Sequence, residues 1–342
     1  MNLLIKGIYT LIIAFVLCIF VCPVLIPFLH RLKFGQTVRD DGPQTHLQKT
    51  GTPTMGGLAF LAAFVLSAIF MAPTHETIAV ILVTIGFGLI GFIDDYIKVV
   101  KKRSLGLKPM QKIIGQLIIC VLFMVYLNKS GVGTEIYIPF TGGKTWDLGI
   151  LFIPFCIIAV LATVNGVNLT DGLDGLADGV TLIVCVFFTM CAYAAGNGIV
   201  TTGGAMIGGL LAFLIFNAYP AKVFMGDTGS LTIGGIIAVF AIIIHKELLI
   251  PILCGVFLVE NLSVILQRAY YKAGKRKGVK QRLFKRTPIH DHFRTSMSLI
   301  EPGCTVKFTK PDQLFHESKI TVRFWIVTIV LAAITIITLK IR

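Results

Sequence analysis

Charged residues are scarce in this chain. They make up 14% of its 342 residues, against about 25% in a typical globular domain. Hydrophobic residues reach 55%, and the mean hydropathy is +0.85. This shortage of charge excludes an ordinary soluble protein. It indicates an all-α polytopic membrane protein whose single integral domain covers residues 1–342.

Paired cysteine motifs are also missing. The chain has eight cysteines, but no Cys-x-x-Cys occurs, and nearly all of them lie in apolar runs. This pattern argues against a disulfide framework or a zinc site and favours buried packing cysteines. The N-terminal apolar stretch lacks a small-residue cleavage site, so we interpret it as a first membrane span rather than a signal peptide.

About ten apolar runs are long enough to cross a bilayer. They lie at roughly 4–29, 55–73, 77–93, 110–127, 148–165, 177–195, 201–217, 228–244, 247–266 and 320–339. An even number of spans places both termini on the same side of the membrane. The segment 131–147 between two of these runs alternates apolar and polar residues, which predicts a small β-hairpin on the external side.

Basic residues are distributed unequally between the loops. Most of the 31 lysines and arginines fall in the alternate loops 30–54, 94–109, 166–176, 218–227 and 267–319. Because cytoplasmic loops carry the excess of basic residues, these loops are predicted to be cytoplasmic and both termini external. This topology and attraction to anionic membrane lipid account for the net charge of +14 without nucleic-acid binding.

Acidic residues gather at the predicted cytoplasmic ends of the spans. Two of the loops concerned have almost no basic residues, although the topology would favour them there. Several carboxylates on one face repel one another unless a cation or a basic group balances them, and a divalent cation is the simplest balance. A solvated helix end is the alternative explanation for the adjacent pair. The residues concerned are Asp94, Asp95, Asp171, Asp174, Asp178 and Asp227.

The segment 165–179 is dense in asparagine, aspartate and glycine, which cannot continue a stable membrane helix. It lacks the spacing of a calcium loop, and we interpret it as a binding loop, with a polar turn as the alternative. Asp227 begins a span, with a glycine on each side of the Asp227–Thr228 pair. Because helix N-termini attract anions, it is either a helix cap or a metal ligand beside a phosphate.

Several basic residues stand near these acids. Lys98 follows Asp94 by four residues and so shares its helix face, and Lys112 lies at a membrane edge, where it could bind phosphate. The segment from Lys49 to residue 57 either forms a turn and a closely packed helix start or presents Lys49 and hydroxyls such as that of Thr54 to an anionic substrate.

Two features near the C-terminal end leave alternatives open. Glu260 lies inside an apolar run and is either a structural hydrogen-bonding group or part of a site. His290 and His292 follow a proline in a loop on the acidic face, where they could form a metal site or a phosphate clamp, although their spacing alone is weak evidence.

Four stretches of the chain resemble the bacterial phospho-N-acetylmuramoyl-pentapeptide transferases, which belong to the polyprenyl-phosphate N-acetylhexosamine-1-phosphate transferase superfamily. They run in order over nearly the whole chain, and the predicted span count agrees. They are Thr-Pro-Thr-Met-Gly-Gly at 52–57, Asp-Asp-Tyr-Ile-Lys at 94–98, Asn-Leu-Thr-Asp-Gly-Leu-Asp-Gly at 168–175 and Asn-Ala-Tyr-Pro-Ala-Lys-Val-Phe-Met-Gly-Asp-Thr-Gly at 217–229.

The resemblance implies an enzyme of peptidoglycan synthesis in the bacterial plasma membrane. Such an enzyme transfers phospho-MurNAc-pentapeptide from UDP-MurNAc-pentapeptide to undecaprenyl phosphate, and the products are lipid I and UMP. The resemblance also implies Mg²⁺ as the cofactor, an active site on the cytoplasmic face and a homodimer.

The resemblance assigns roles to individual residues. Asp227 is implied to be the Mg²⁺ ligand and a catalytic residue, with Asp94, Asp95, His290 and His292 as further catalytic residues. Positions around the uridine are Lys49, Asn168, Asp171, Asp174, Phe224 and Gln267, and other substrate positions are Thr54, Lys98, Lys112 and Asn217. The family usually shows three consecutive histidines, so Asp291 is a departure, because a carboxylate cannot donate to phosphate as an imidazolium would.

Two reaction paths are open. Phosphoryl transfer depends on positioning and charge neutralisation, and Asp94 could accept a proton from undecaprenyl phosphate, whose oxygen then attacks the β-phosphate. The other path proceeds in two steps through a phospho-aspartyl enzyme. The lipid substrate requires an apolar groove, for which the ninth span, bent near Pro251, is the candidate wall.

Two alternative functions remain. A transferase of the same superfamily that uses UDP-GlcNAc is the nearer one. A cation-coupled transporter would also contain acids and broken helices, but its site would lie near the middle of the bilayer.

Overall fold

A computed structural model describes residues 2–32, 51–101 and 106–340. Within these ranges, 8 helices are long and apolar enough to cross a membrane, or 9 if a helix pair bent by 75° counts as one span. The chain is therefore a helical, polytopic membrane protein. The predicted second span is a helix of 15 residues, shorter than the ~20 that usually cross a bilayer, so the count of ten stays a prediction.

Twelve helices lie within the described ranges. They are α1 (Leu3–Arg31), α2 (Gly57–Met71), α3 (His75–Val100), α4 (Pro109–Lys129), α5 (Phe152–Thr170), α6 (Leu176–Ala194), α7 (Val200–Asn217), α8 (Gly226–Ile243), α9 (Ile250–Leu253), α10 (Gly255–Arg276), α11 (Ile289–His292) and α12 (Glu317–Lys340). Short 3₁₀ turns are at Gly149–Leu151, Glu247–Leu249 and Met297–Leu299.

Helix α8 forms the centre of the bundle. Its apolar stretch is 89% buried, and it packs against α2, α3 and α5. Helices α1, α4 and α12 are the opposite case, with 17%, 28% and 22% of their apolar stretches buried. Because these outer helices expose broad apolar faces, they are suited to contact with lipid, whereas α8 is shielded from it.

Glycines bring the end of α3 against the start of α8. A Cβ atom added to Gly91 of α3 would lie 2.1 Å from the carbonyl oxygen of Asp227, and one added to Gly57 of α2 would lie 2.3 Å from the Cα of Gly229. Small residues at helix interfaces let backbones approach this closely. The close approach at Gly91 places the last turns of α3 beside the first turn of α8.

The predicted ninth span is broken. The Glu247–Leu253 segment, which contains Pro251, meets α10 at an angle of 75°. The second half of α10 is rich in basic residues. The bend separates a short apolar segment from a longer amphipathic helix.

Four short strands complete the described chain: β1 (Glu135–Tyr137), β2 (Thr145–Asp147), β3 (Gln281–Phe284) and β4 (Thr305–Phe308). The first two pair antiparallel inside the segment predicted to form a hairpin, while its external location stays a prediction. The last two pair in parallel. The sequence did not predict this second pair, because its two strands lie far apart in the chain and no hairpin turn joins them.

Candidate active site

Three carboxylates from two helices meet at one end of the bundle. Asp94 and Asp95 belong to the end of α3, and Asp227 belongs to the first turn of α8. One oxygen of each lies within 4.8 Å of those of the other two. We call these three residues the acidic cluster. The sequence predicts that these acids meet, and among the described residues they have the spacing of metal ligands.

Two lysines balance most of the charge of the acidic cluster. The Nζ atom of Lys98 lies 2.6 Å from Asp94 Oδ2 and 3.2 Å from Asp227 Oδ2. The Nζ atom of Lys112, from the first turn of α4, lies 2.5 Å from Asp227 Oδ2 and 3.1 Å from Asp94 Oδ1. Two ammonium groups facing three carboxylates leave a net negative charge, which attracts a further cation.

Asp95 holds the start of α8. Its Oδ2 accepts hydrogen bonds from the backbone N–H of Thr228 at 2.9 Å and from the Thr228 hydroxyl at 2.7 Å, and its Oδ1 accepts from the Asp227 N–H at 3.2 Å. The first N–H groups of a helix have no partner inside the helix, so a carboxylate there satisfies them and also favours the helix dipole. Asp95 thus positions Asp227.

Asp94 and Asp227 differ in accessibility. Asp94 is fully buried and accepts a hydrogen bond from the Leu107 N–H at 2.7 Å. Its Oδ1 lies 2.3 Å from where a Cβ on Gly106 would be, so the chain covers it closely. The Asp227 side chain is 16% exposed, and Asn168 donates to its Oδ1 at 3.1 Å. Asp227 is therefore the most open carboxylate of the cluster.

Thr54 lies beside the acidic cluster at the start of α8. A Cβ on Gly226 would lie 2.8 Å from Thr54 Oγ1 and 2.6 Å from Asp95 Oδ2. Gly226 has a φ of +72°, which glycine adopts without strain. The neighbouring Phe224 is fixed through its backbone, since its N–H donates to the Pro53 carbonyl at 2.8 Å. The structure thus joins the predicted segments 52–57 and 217–229.

The loop after α5 is joined to the loop after α7. Asp174 Oδ2 accepts a hydrogen bond from the Ala221 N–H at 3.0 Å. Asn217 accepts from the Gly175 N–H at 3.1 Å and donates to the Val223 carbonyl at 3.0 Å. Both side chains are buried, so in this structure they hold the two loops together. Their predicted contact with substrate stays a prediction.

Asp171 follows the last residue of α5, and the charges of the acidic cluster act on its carboxyl group. Burial, and then the negative charges of Asp227, Asp95 and Asp174, raise the pKa of Asp171 to about 8, against a smaller opposite effect of Lys98. The carboxyl group is therefore protonated in a large fraction of molecules at neutral pH. In that state it can donate a hydrogen bond as well as accept one.

We call residues 288–294 the histidine loop. His292 accepts a hydrogen bond from the Lys285 N–H at 3.2 Å, and its Nε2 lies 2.6 Å from the Lys310 carbonyl oxygen. Burial lowers the pKa of His292, so the ring is neutral, with Nε2–H as donor to Lys310. Both nitrogens thus contact backbone, and His292 fixes the loop in this structure, while its predicted catalytic role stays a prediction.

His290 faces a buried carboxylate. Its Nδ1 lies 3.1 Å from Glu260 Oε1, which places Glu260 in a polar network rather than among apolar groups alone. Burial lowers the pKa of His290, but the charges of Glu260 and Asp291 outweigh it, and the net pKa lies above its usual value. His290 therefore carries a positive charge more readily than a free imidazole.

Gln267 and Lys49 complete the predicted set. Gln267 Oε1 accepts hydrogen bonds from the Leu283 and Phe284 N–H groups at 2.9 Å, and its Nε2 donates to the Phe284 carbonyl at 3.1 Å. It therefore anchors β3 to α10, and its contact with uridine stays a prediction. Lys49 lies outside the described residues.

Comparison with known proteins identifies the family. Residues 77–245 match a family model described as glycosyl transferase family 4, and residues 49–61 match the phospho-N-acetylmuramoyl-pentapeptide-transferase signature 1. A phospho-N-acetylmuramoyl-pentapeptide-transferase of Bacteroides fragilis is 50% identical over 93% of this chain and 89% of its own length. The chain belongs to the phospho-N-acetylmuramoyl-pentapeptide-transferase family.

Other members of this transferase family are nearly as similar. The proteins of the same name from Acetivibrio thermocellus and Clostridioides difficile are each 46% identical, over 98% and 96% of this chain respectively and 96% of their own lengths. The region matched by the transferase model contains the acidic cluster and the loop after α5, and the matched signature contains Thr54. The histidine loop lies beyond both matched regions.

Sequence reasoning missed three residues that position the site. Thr228 contacts Asp95, and its place after Asp227 at a helix start could have indicated this. Arg294 lies three residues after Asp291, a spacing at which helical side chains meet. Glu317 gave no signal, because its partners lie far away in the sequence.

Proposed function

We propose that this chain transfers phospho-MurNAc-pentapeptide from UDP-MurNAc-pentapeptide to undecaprenyl phosphate, and that it forms lipid I and releases UMP in peptidoglycan synthesis. The observation that carries this proposal is the acidic cluster with its two lysines. Negative and positive side chains from α3, α4 and α8 meet there. A diphosphate substrate and a divalent cation together require such a set of charges.

The acidic cluster fits Mg²⁺. Its donors are carboxylate oxygens, which Mg²⁺ prefers, and Mg²⁺ usually needs only one or two of them besides phosphate and water. Asp227 is the carboxylate we assign to Mg²⁺, because it is the most open and Asn168 orients it. Asp95 already accepts hydrogen bonds from the N–H groups at the start of α8, so we do not assign it to Mg²⁺. When bound, Mg²⁺ would neutralise the charge of the diphosphate.

Asp94 is the base in our proposal. It receives the proton of undecaprenyl phosphate, whose oxygen attacks the β-phosphate of the donor, and UMP leaves. Contacts with the Leu107 N–H, Lys98 and Lys112 hold the Asp94 carboxylate in place, which favours this direct path over attack by Asp94 itself. A covalent phospho-sugar adduct on an aspartate, trapped in a single-turnover sample, would establish the two-step path instead.

Lys98 and Lys112 balance the phosphates in this proposal. Each contacts two or more carboxylates, and an ammonium group can turn from a carboxylate to a phosphate oxygen. The nucleotide is assigned to the neighbouring loops. Its binding residues are Lys49, Thr54, Asn168, Asp171, Asp174, Asn217, Phe224 and Gln267.

The distribution of charge and the bent helix support the membrane arrangement that we propose. The distribution of lysine and arginine supports a cytoplasmic active site, ten spans and external termini in the bacterial plasma membrane. An apolar cavity of about 430 Å³ lies between α10 and α12, with Val259 and Phe324 in its wall. This cavity supports α10 as one wall of the path for the prenyl chain. A homodimer remains part of the proposal on family grounds.

Release of UMP by the purified protein in detergent tests this function. We expect release to need Mg²⁺, undecaprenyl phosphate and UDP-MurNAc-pentapeptide together, with UDP-GlcNAc as a poor substitute. Equal turnover of UDP-GlcNAc would favour the other branch of the superfamily. The absence of UMP release, together with Mg²⁺-dependent flux in vesicles, would favour a transporter, although the location of the acidic cluster at helix ends argues against one.

A further inference from the structure

Asp291 lies at the centre of a buried ion-pair network. Its Oδ1 accepts from the Nε of Arg294 at 2.7 Å and contacts one terminal nitrogen of the same guanidinium at 2.7 Å. Its Oδ2 lies 3.3 Å from the Nε of Arg286. Asp291 and Arg294 are each 7% exposed. A carboxylate held by two guanidinium groups in a buried place is fixed in orientation.

Arg294 reaches from the histidine loop to the loop after α5. One terminal nitrogen donates to the Gly172 carbonyl at 3.4 Å, and the other lies 3.8 Å from Glu317 Oε2. The other oxygen of Glu317 accepts from the Asp174 N–H at 3.0 Å. Arg294 therefore holds one end of the segment 172–174 directly and the other end through Glu317.

His290 packs against the same segment. A Cβ added to Gly172 would lie 2.3 Å from His290 Nε2, and this nitrogen lies 3.6 Å from Asp291 Oδ1. The position of the imidazole and the position of the segment 172–174 are thus coupled through one packing contact and one ion-pair network. The segment lies between Asp171 and Gly175, within the loop to which the nucleotide is assigned.

We propose that Asp291 is a positioning residue which, by fixing Arg294, holds the segment 172–174 against His290 in the conformation that binds the nucleotide part of the donor. This inference rests on the proposed function and adds to it a determinant of donor affinity. Asp291 does not contact the reacting atoms, because its oxygens face guanidinium groups and it is almost entirely buried.

The test uses Asp291→Asn in the full-length protein in detergent. We expect the KM for the UDP donor to rise about tenfold, because misplacing a binding loop weakens ground-state binding. The KM for undecaprenyl phosphate should stay near its wild-type value. UMP affinity, measured by calorimetry without turnover, should fall in parallel, and hydrogen exchange should rise in residues 168–178.

Further variants test whether Asp291 acts on the segment 172–174 through Arg294. Arg294→Gln should reproduce the Asp291→Asn result, and the double variant should be no worse than either single one, because both act through one pair. Arg294→Lys keeps the charge but loses the forked donors and should give an intermediate donor KM. Lys280→Gln is the control, since Lys280 forms its ion pair with Glu301 at the exposed surface, and it should leave donor KM and UMP affinity near wild type.

The proposal is overturned if Asp291→Asn keeps wild-type UMP affinity and donor KM, if both substrates are affected equally, or if the losses in the two single variants add in the double variant. Should Asp291→Asn fail to fold, Arg294→Lys decides by the same measurements. If wild type forms no lipid product, the proposed function fails. UMP affinity and hydrogen exchange then still test whether Asp291 positions the loop.

Discussion

The acidic cluster and the histidine loop are both rich in charge, but they hold it differently. The carboxylates of the acidic cluster face lysine side chains that are 31% and 21% exposed, and an ammonium can turn to another partner. Asp291 faces the forked guanidinium of a buried arginine, which is pre-organised and exchanges poorly. The lysines of the acidic cluster can therefore leave the carboxylates and bind substrate phosphates, so that a metal ion can take their place. The histidine loop keeps a fixed shape.

The largest expected effect comes from the open carboxylate of the acidic cluster. Asp227→Asn should lower kcat by at least ~100-fold, because even residues that only orient a metal ligand contribute about 10- to 100-fold. UMP release measures this loss. Electron paramagnetic resonance of bound Mn²⁺ gives a second readout, in which we expect weaker binding. Thr232→Ala, one turn deeper in α8, is the control. Near-normal activity or unchanged Mn²⁺ affinity would remove Asp227 from the site.

A second pair of variants separates the two neighbours on α3. Asp95→Ala should lose activity and about 1 kcal/mol of stability, the usual loss when a helix cap is replaced by alanine, because Asp95 accepts from the N–H groups at the start of α8. Asp94→Asn should lose activity with little change in melting temperature, since relief of repulsion from Asp227 offsets its lost ion pairs. Thermal unfolding checks both variants, and equal melting temperatures would contradict the division of roles.

Asp174→Ala tests the loop that connects the two regions. The lost acceptor for the Ala221 N–H should raise the KM for the UDP donor about tenfold, in line with a charge-assisted hydrogen bond. The KM for undecaprenyl phosphate should change little. Asp312→Ala, an exposed acid, serves as the control. Equal changes in the KM for both substrates would end the assignment of Asp174 to the nucleotide side.

Asp171 makes the stability of the protein depend on pH. The pKa of Asp171 is raised to about 8, so the folded state keeps a proton that the unfolded state has already lost. The contribution of Asp171 to the free energy of unfolding is greatest below the pKa that this residue has in the unfolded chain. It declines as the pH rises towards 8. The melting temperature of wild type should therefore fall between pH 5 and pH 8, and Asp171→Asn should flatten this slope. An unchanged slope would show that Asp171 titrates normally.

Much of the acidic cluster could be predicted from the sequence. Asp94, Asp95 and Asp227 stand at helix ends that the predicted topology places on one face, and Lys98 follows Asp94 at helix spacing. The division of labour among these acids could not be predicted. Asp95 became a cap for α8 only because Gly91 lets the two helix backbones approach closely, and no local pattern encodes that distance.

The histidine loop shows the opposite balance. The sequence showed that Asp291 departs from the family pattern but gave it no role, and it left Glu260 undecided. The structure places Glu260 against His290 and Asp291 against Arg294. The first of these contacts joins α10 to α11, and Arg294 also approaches Glu317 of α12. Side-chain partners that far apart in the chain depend on how the helices pack.

The apolar runs, the unequal distribution of basic loops and the four motif stretches determined by themselves that this is a helical membrane transferase with an acidic site at helix ends. The length of an apolar run and the charge of a loop are properties of neighbouring residues, so the sequence alone reveals them. The tertiary structure alone decided which carboxylate stays open, which one caps α8 and how Arg294 joins two loops. Those outcomes depend on distances of a few ångströms between separate helices, which only their packing sets.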